Sequence, residues 1–207
     1  MIIENSGKIF KFSLDHNLGY SYAEILDFTD ITEFDGRIIY VFDLEGKDVE
    51  NIDEIISSKL LLGPILLYKF PNAKGKFSWK LMGRTEKFIT TRWPLFKKLQ
   101  GSIIKDYNWN NLEKWYIVDR NSEDNSINYF LYDEIRYVET TILNSHVGVA
   151  KKATMMHLIK ENKKVSDYYD LSEIGNRNLF IQLVNTYYPL ERTVELLKEI
   201  ESPLVGE

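Results

Sequence analysis

Apolar and polar positions alternate with a period of two from Phe10 to Leu14, where Phe10, Phe12 and Leu14 are separated by Lys11 and Ser13. That spacing puts three apolar side chains on one face of a strand. Asp15-His16-Asn17 then supplies turn chemistry, and Gly19 is free to take a positive φ if the connection needs it. A second strand follows, with Tyr20, Tyr22, Leu26 and Phe28 on one face and Glu24 interrupting it. A buried carboxylate needs a partner, so this strand is expected at an edge. Asp35-Gly36 marks a turn before Arg37 to Leu44, whose continuous run from Ile38 to Phe42 predicts a central strand.

The period changes between Asp48 and Lys59. Val49, Ile52, Ile55 and Ile56 fall on one side of a short helix, with Glu50, Asp53 and Glu54 on the other and Asp48 as the expected N-cap. Pro64 to Phe70 and Lys76 to Met82 read as further strands joined by the turn-rich Pro71-Asn72-Ala73-Lys74-Gly75. Alternation in the second of these turns Phe77, Trp79 and Leu81 inward and Lys76, Ser78, Lys80 and Met82 outward. Between Thr85 and Asn111 only one constraint is legible: Trp93-Pro94 is non-helical or a boundary. Trp115 to Asp119 and Ile127 to Tyr132 predict strands around the polar tip at 120–125, with Tyr132 to Val138 extending the second strand.

Beyond Ser145, a candidate cap, the stripe of Val147, Ala150, Lys151, Thr154, Met155, Leu158 and Ile159 is helical. Leu179 to Val184 predicts a short helix, and Leu190 to Ile200 another, started by Pro189 and ended by Ser202-Pro203. The expected class is α+β. A bent antiparallel sheet or partly closed barrel occupies the N-terminal two-thirds, with a helical C-terminal segment packed on it. One domain is expected over residues 1–207, β-rich over 1–140 and helical over 141–207.

Composition narrows the chemistry. The chain is 44% hydrophobic, 28% charged and 14% aromatic, which predicts a folded globular protein. It has no cysteine, so disulfides and thiolate metal sites are excluded. The opening MIIENSGKIFKF lacks the charged and apolar regions of a signal peptide, and no long apolar run occurs, so a cytoplasmic, non-membrane protein is expected.

The three histidines give no metal motif. His146 and His157 are eleven residues apart, about 16 Å on a helix, too far to share one ion. No dinucleotide, phosphate-loop, nucleophile-elbow or zincin pattern is present. Ser145-His146 reads as a helix entry, and Asp133-Glu134 on a strand would point to opposite faces. A non-enzymatic protein with no metal and no cofactor is therefore expected, while a hydrolase would need a deep pocket where a carboxylate meets His146.

The net charge of −5 is unevenly spread. Between Asp43 and Glu54 lie six acids, Asp43, Glu45, Asp48, Glu50, Asp53 and Glu54, against the single base Lys47. Between Lys74 and Lys105 lie nine bases against the single acid Glu86, interleaved with Phe77, Trp79, Phe88, Trp93 and Phe96. Such asymmetry either marks partner surfaces of opposite sign or is only solvated surface. The stretch 74–105 carries an alternative reading as a nucleic-acid-binding surface, with cations on phosphates and rings on bases. The acidic remainder and the inward alternation of its rings oppose it.

One stretch discriminates further. Gly7, Ile9, Phe10, Phe12, Leu14, Gly19, Tyr20, Tyr22, Ile25 and Leu26 resemble the opening signature of the immunity protein 26 family of bacterial polymorphic-toxin systems. That opening resembles Gly-Asp-Ile-Phe-x-Ile-Pro-Leu followed by a Gly-Tyr pair, whereas Lys8 and Ser13 stand here in place of the acid and the proline. The resemblance covers about the first 45 residues and marks a scaffold. It implies a protein that binds and neutralises a cognate toxin inside the producing cell without catalysis. Where such a toxin is a nuclease its substrate groove is basic, so Asp43, Glu45, Asp48, Glu50, Asp53, Glu54 and the Glu123-Asp124 tip become, by charge alone, the candidate partner-binding residues.

Overall fold

The computed structural model describes residues 6–28, 36–72, 74–100, 114–122 and 127–201. Asp35, Ala73, Lys105, Asn111, the Glu123-Asp124 tip and Ser202-Pro203 lie outside the described residues. The chain divides into two compact units, one of Met1–Thr91 with Ile142–His157 and one of Arg92–Thr141 with Leu158–Glu207.

The first unit is built on five antiparallel strands, β1 (Lys8–Ser13), β2 (Tyr20–Asp27), β3 (Arg37–Gly46), β4 (Leu60–Leu67) and β5 (Lys80–Arg84), in the order β4-β3-β2-β1-β5. The sheet is open, with β4 and β5 as its edges, and the α+β class holds. Between β1 and β2 a 3-10 turn spans Asp15–Asn17, with His16 and Asn17 at φ of 55° and 58° and Gly19 at 92°.

Register fixes which residues share a face, because directly opposed residues point the same way. Ile9, Glu24 and Tyr40 are opposed across three strands, and so are Lys11, Tyr22 and Phe42. On this face Ile9, Tyr22 and Phe42 form a core with Val49 and with Ile55 of the short helix α1 (Ile52–Ser57). On the opposite face Phe12 stacks on Trp79 at 4.1 Å and Phe10 meets it edge-on at 6.2 Å. The helix α2 (His146–Lys160) packs there. Its His146 ring stands 6.3 Å from Trp79, and Thr154 Oγ1 accepts from the Asp15 amide at 3.0 Å.

Several local expectations are corrected. Glu24 lies on a strand flanked on both sides and is wholly buried, not at an edge. β4 begins four residues early, at Leu60, and runs through a cis Gly63-Pro64 peptide. An edge strand tolerates a proline because one side of it donates to nothing. The expected burial is reversed after Trp79: Leu81, opposed to Phe10 at the sheet edge, is exposed, while Met82 packs against the core of the α1 side, because both faces of this sheet are covered. Ser78 has φ 40°, and Met82 is the extra residue where the β1–β5 register shifts, so the bulge stands opposite Ile9 on the α1 face.

The second unit contains β6 (Phe96–Leu99), β7 (Trp115–Val118) and β8 (Tyr129–Phe130) in the order β6-β7-β8, with α3 (Ile174–Tyr187) and α4 (Leu190–Glu201). Tyr132–Ile135 is a 3-10 turn, not a strand extension. Its two acids serve local roles: Glu134 accepts from the Leu131 amide at 2.8 Å and Asp133 holds the Arg136 guanidinium at 2.6 Å. α3 is longer than Leu179 to Val184, and α4 buries Thr193, Leu196 and Leu197 while Val194 is exposed.

A buried polar network organises this unit. Lys97, with no solvent exposure, donates from Nζ to the Tyr132 hydroxyl at 3.0 Å and to the Arg136 carbonyl at 2.6 Å. Tyr132 in turn donates to the Asn185 carbonyl at 2.7 Å, and Tyr187 donates to the Glu139 carboxylate at 2.7 Å. Small sheet and α3 are thereby joined through polar groups that satisfy one another.

Candidate functional site

The acidic segment 43–54 is a strap laid along the first unit. Asp43 and Glu45 lie on β3, Asp48 and Glu50 on the following loop, and Asp53 and Glu54 in the first turn of α1. Its start is set by two glycines. A Cβ on Gly19 would stand 2.2 Å from the Gly46 carbonyl oxygen, and Gly46 itself has φ 74°, so chain and turn approach more closely than any side chain allows.

Tyr22 then clamps the loop. Its buried hydroxyl accepts from the Val49 amide at 2.6 Å, and its proton faces the Lys47 carbonyl at 3.3 Å and the Asp48 carboxylate at 3.5 Å. Burial raises the Tyr22 phenol above its ordinary pKa, although the Val49 N–H opposes that shift. Val49 and Ile55 anchor the strap in the core on either side of Glu50, Asp53 and Glu54, which stay exposed. Asn51, not Asp48, caps α1 by accepting from the Asp53 amide at 2.9 Å.

Asp48 is instead committed to Lys11, whose ammonium it contacts directly. Burial opposes charge on Lys11, yet the hydrogen bond and the nearby carboxylate hold its pKa above the ordinary value. The ring of Tyr20 lies under the same ammonium at 3.9 Å. Asp53 meets Lys87 at 3.2 Å, but those side chains are 76% and 79% exposed, so this pair is screened and easily exchanged. Glu50 and Glu54 make no ion pair among the described residues.

The family-like residues do not reach this surface directly. Gly7, Ile9, Phe10, Phe12 and Leu14 are buried in the hairpin, Gly19 makes the close approach to Gly46, and Tyr20 is partly exposed beside Lys11. A Cβ on Gly7 would meet the Thr85 carbonyl oxygen at 2.2 Å. These residues build the platform on which the acids stand.

The basic stretch behaves differently. Phe77, Trp79, Trp93 and Phe96 are buried in the two units, so these rings offer no platform on which bases could stack. Lys97 is interior, and Lys76 pairs with Asp15 at 2.8 Å. The positive charge of the stretch is thus shared among the core, local pairs and separate exposed positions.

Ser145 Oγ accepts from the Gly148 amide at 3.1 Å as a helix cap, and burial lowers the pKa of His146 against Trp79. Glu24, whose pKa burial raises to about 7 against the weak Ile89 N–H contact at 3.4 Å, has no exposed surface, and its Oε1 has no hydrogen-bond partner among the described residues. Sequence reasoning missed its burial and that of Lys97; an acid and a base inside apolar runs were the only available signals. Among the described residues no cluster of three or more His, Asp or Glu could hold a metal ion, and no helix is long and apolar enough to cross a membrane. No protein-family model, no curated protein and no solved structure matches this chain.

Proposed function

We propose that this protein is a non-catalytic immunity protein that binds a cognate bacterial toxin inside the producing cell and blocks it through the acidic strap. One observation carries the reading: Glu50 and Glu54 are exposed, lack internal ion pairs among the described residues, and stand between buried anchors at Val49 and Ile55. A backbone anchored this way presents both carboxylates without a segment having to order on binding, which favours a basic partner surface such as the substrate groove of a nuclease toxin. The resemblance of the Gly7 to Leu26 hairpin to the immunity protein 26 family supports the same reading.

The test is co-expression with the toxin encoded beside it, together with recovery of the native complex from the producing cell. Survival and a stable complex support the function. Cell death at full expression of this protein, with no complex recovered, ends it.

A further inference from the structure

In the second unit, a groove of about 410 Å³ lies between the segment 162–166 and α4. Four cations, Lys163, Lys164, Arg192 and Lys198, line it against two acids, Glu195 and Glu199. We infer that this groove is a binding site for a phosphomonoester dianion, a function separate from that of the acidic strap.

Both walls are fixed before any ligand arrives. α2 ends in a Schellman cap: Asn162 has φ 56°, its amide donates to the Ile159 carbonyl at 3.0 Å, and the Lys163 amide donates to the Leu158 carbonyl at 2.9 Å. The Glu199 carboxylate accepts from the Ser166 amide at 3.0 Å, tying that segment to α4, while buried Leu196 lies at the lining.

The acids are occupied in this role. Glu199 holds Ser166, and Glu195 pairs with Arg192 at 2.5 Å along the helix. Lys163 is paired with Glu161 at 2.5 Å. Lys164 makes no ion pair among the described residues, and neither the Ser166 hydroxyl nor the Asn162 amide group has a hydrogen bond there. The Lys164 ammonium, the Ser166 hydroxyl and the Asn162 amide group thus line one groove in which four cations face two acids, donors of the kind a doubly charged tetrahedral oxyanion accepts from. The volume also suits a small phosphorylated molecule.

The experiment is an NMR titration of the full chain with inorganic phosphate at constant ionic strength. Amide shifts confined to 162–166 and 192–199 with a dissociation constant on the order of 1 mM are expected, and the double variant Lys164→Ala/Lys198→Ala should weaken binding by about tenfold. Both lysines are exposed, so unchanged spectra elsewhere establish that the variant is folded. Glycerol 3-phosphate and vesicles of phosphatidylcholine with phosphatidic acid present the same group in soluble and membrane-held form, and binding to one of them assigns its source. Dispersed shifts reproduced by chloride, or full binding retained by the double variant, would overturn the inference.

Discussion

The amide nitrogen of Val49 lies 2.6 Å from the hydroxyl oxygen of Tyr22, a contact that ties the acidic strap to the centre of the sheet. Tyr22 is wholly buried on β2, a strand flanked on both sides, so the strap takes its position from the interior of the sheet. Removing the hydroxyl leaves the buried Val49 N–H without an acceptor. Tyr22→Phe is expected to cost about 1–3 kcal/mol in denaturant unfolding and to speed hydrogen exchange at Val49. Unchanged exchange there would show that the hydroxyl does not hold the loop.

The close approach of Gly19 to Gly46 yields a second expectation. Gly19→Ala places a Cβ at φ 92° and 2.2 Å from a carbonyl oxygen, and should cost about 2–3 kcal/mol or more. Gly175→Ala is the matched contrast. That glycine lies in α3 with nothing within 4 Å of its Cβ position, so the change should stabilise by about 0.5–1 kcal/mol. Equal effects of the two substitutions in thermal unfolding would contradict the packing described.

Glu24 makes the first unit sensitive to pH. Burial raises its folded pKa from 4.5 to about 7, so the folded state holds the proton more tightly than the unfolded state. Its contribution is full below pH 4.5 and is lost as pH rises through 7, a change of at most about 3 kcal/mol. Glu24→Gln keeps the shape without the charge and should flatten that decline in unfolding measured across this range. A decline that persists in the variant would assign it to another group.

Lys97 acts with the opposite sign in the second unit. Burial lowers its pKa from 10.5 to about 7, against the pull of the Glu139 carboxylate and together with the Arg136 charge. The unfolded chain therefore binds the extra proton between pH 7 and 10.5, and stability from this group grows as pH rises through that window. Lys97→Met should remove this dependence, and loss of the Tyr132 and Arg136 hydrogen bonds should lower stability at pH 9. Parallel pH profiles for the variant and the native chain would exclude a neutral interior amine.

Local periodicity made the hairpin, the central run of β3 and the helix entry at Ser145 legible, because each is set by neighbours in sequence. What it could not show depends on distant partners. Glu24 reads as an interruption, yet β1 and β3 flank it and bury it. Asp48 has the chemistry of an N-cap, but Lys11 and Tyr22 claim its carboxylate and the helix starts after Asn51. Lys97 belongs by composition to a cationic surface, while Tyr132 and the Arg136 carbonyl, more than thirty positions away, draw it inside. Of the candidate site, charge located the acids and helical spacing set Val49 and Ile55 opposite them; the hold of the Tyr22 hydroxyl on the Val49 amide emerges only from the fold.

The most direct test of toxin binding through the strap is the affinity of the purified native partner for the Glu50→Lys/Glu54→Lys variant, measured by calorimetry at low and physiological salt. Both residues are exposed, so the fold is retained. At least about a tenfold loss of affinity is expected, with a shallower salt dependence than the native chain shows. Affinity and salt dependence indistinguishable from those of the native chain would contradict binding through the strap.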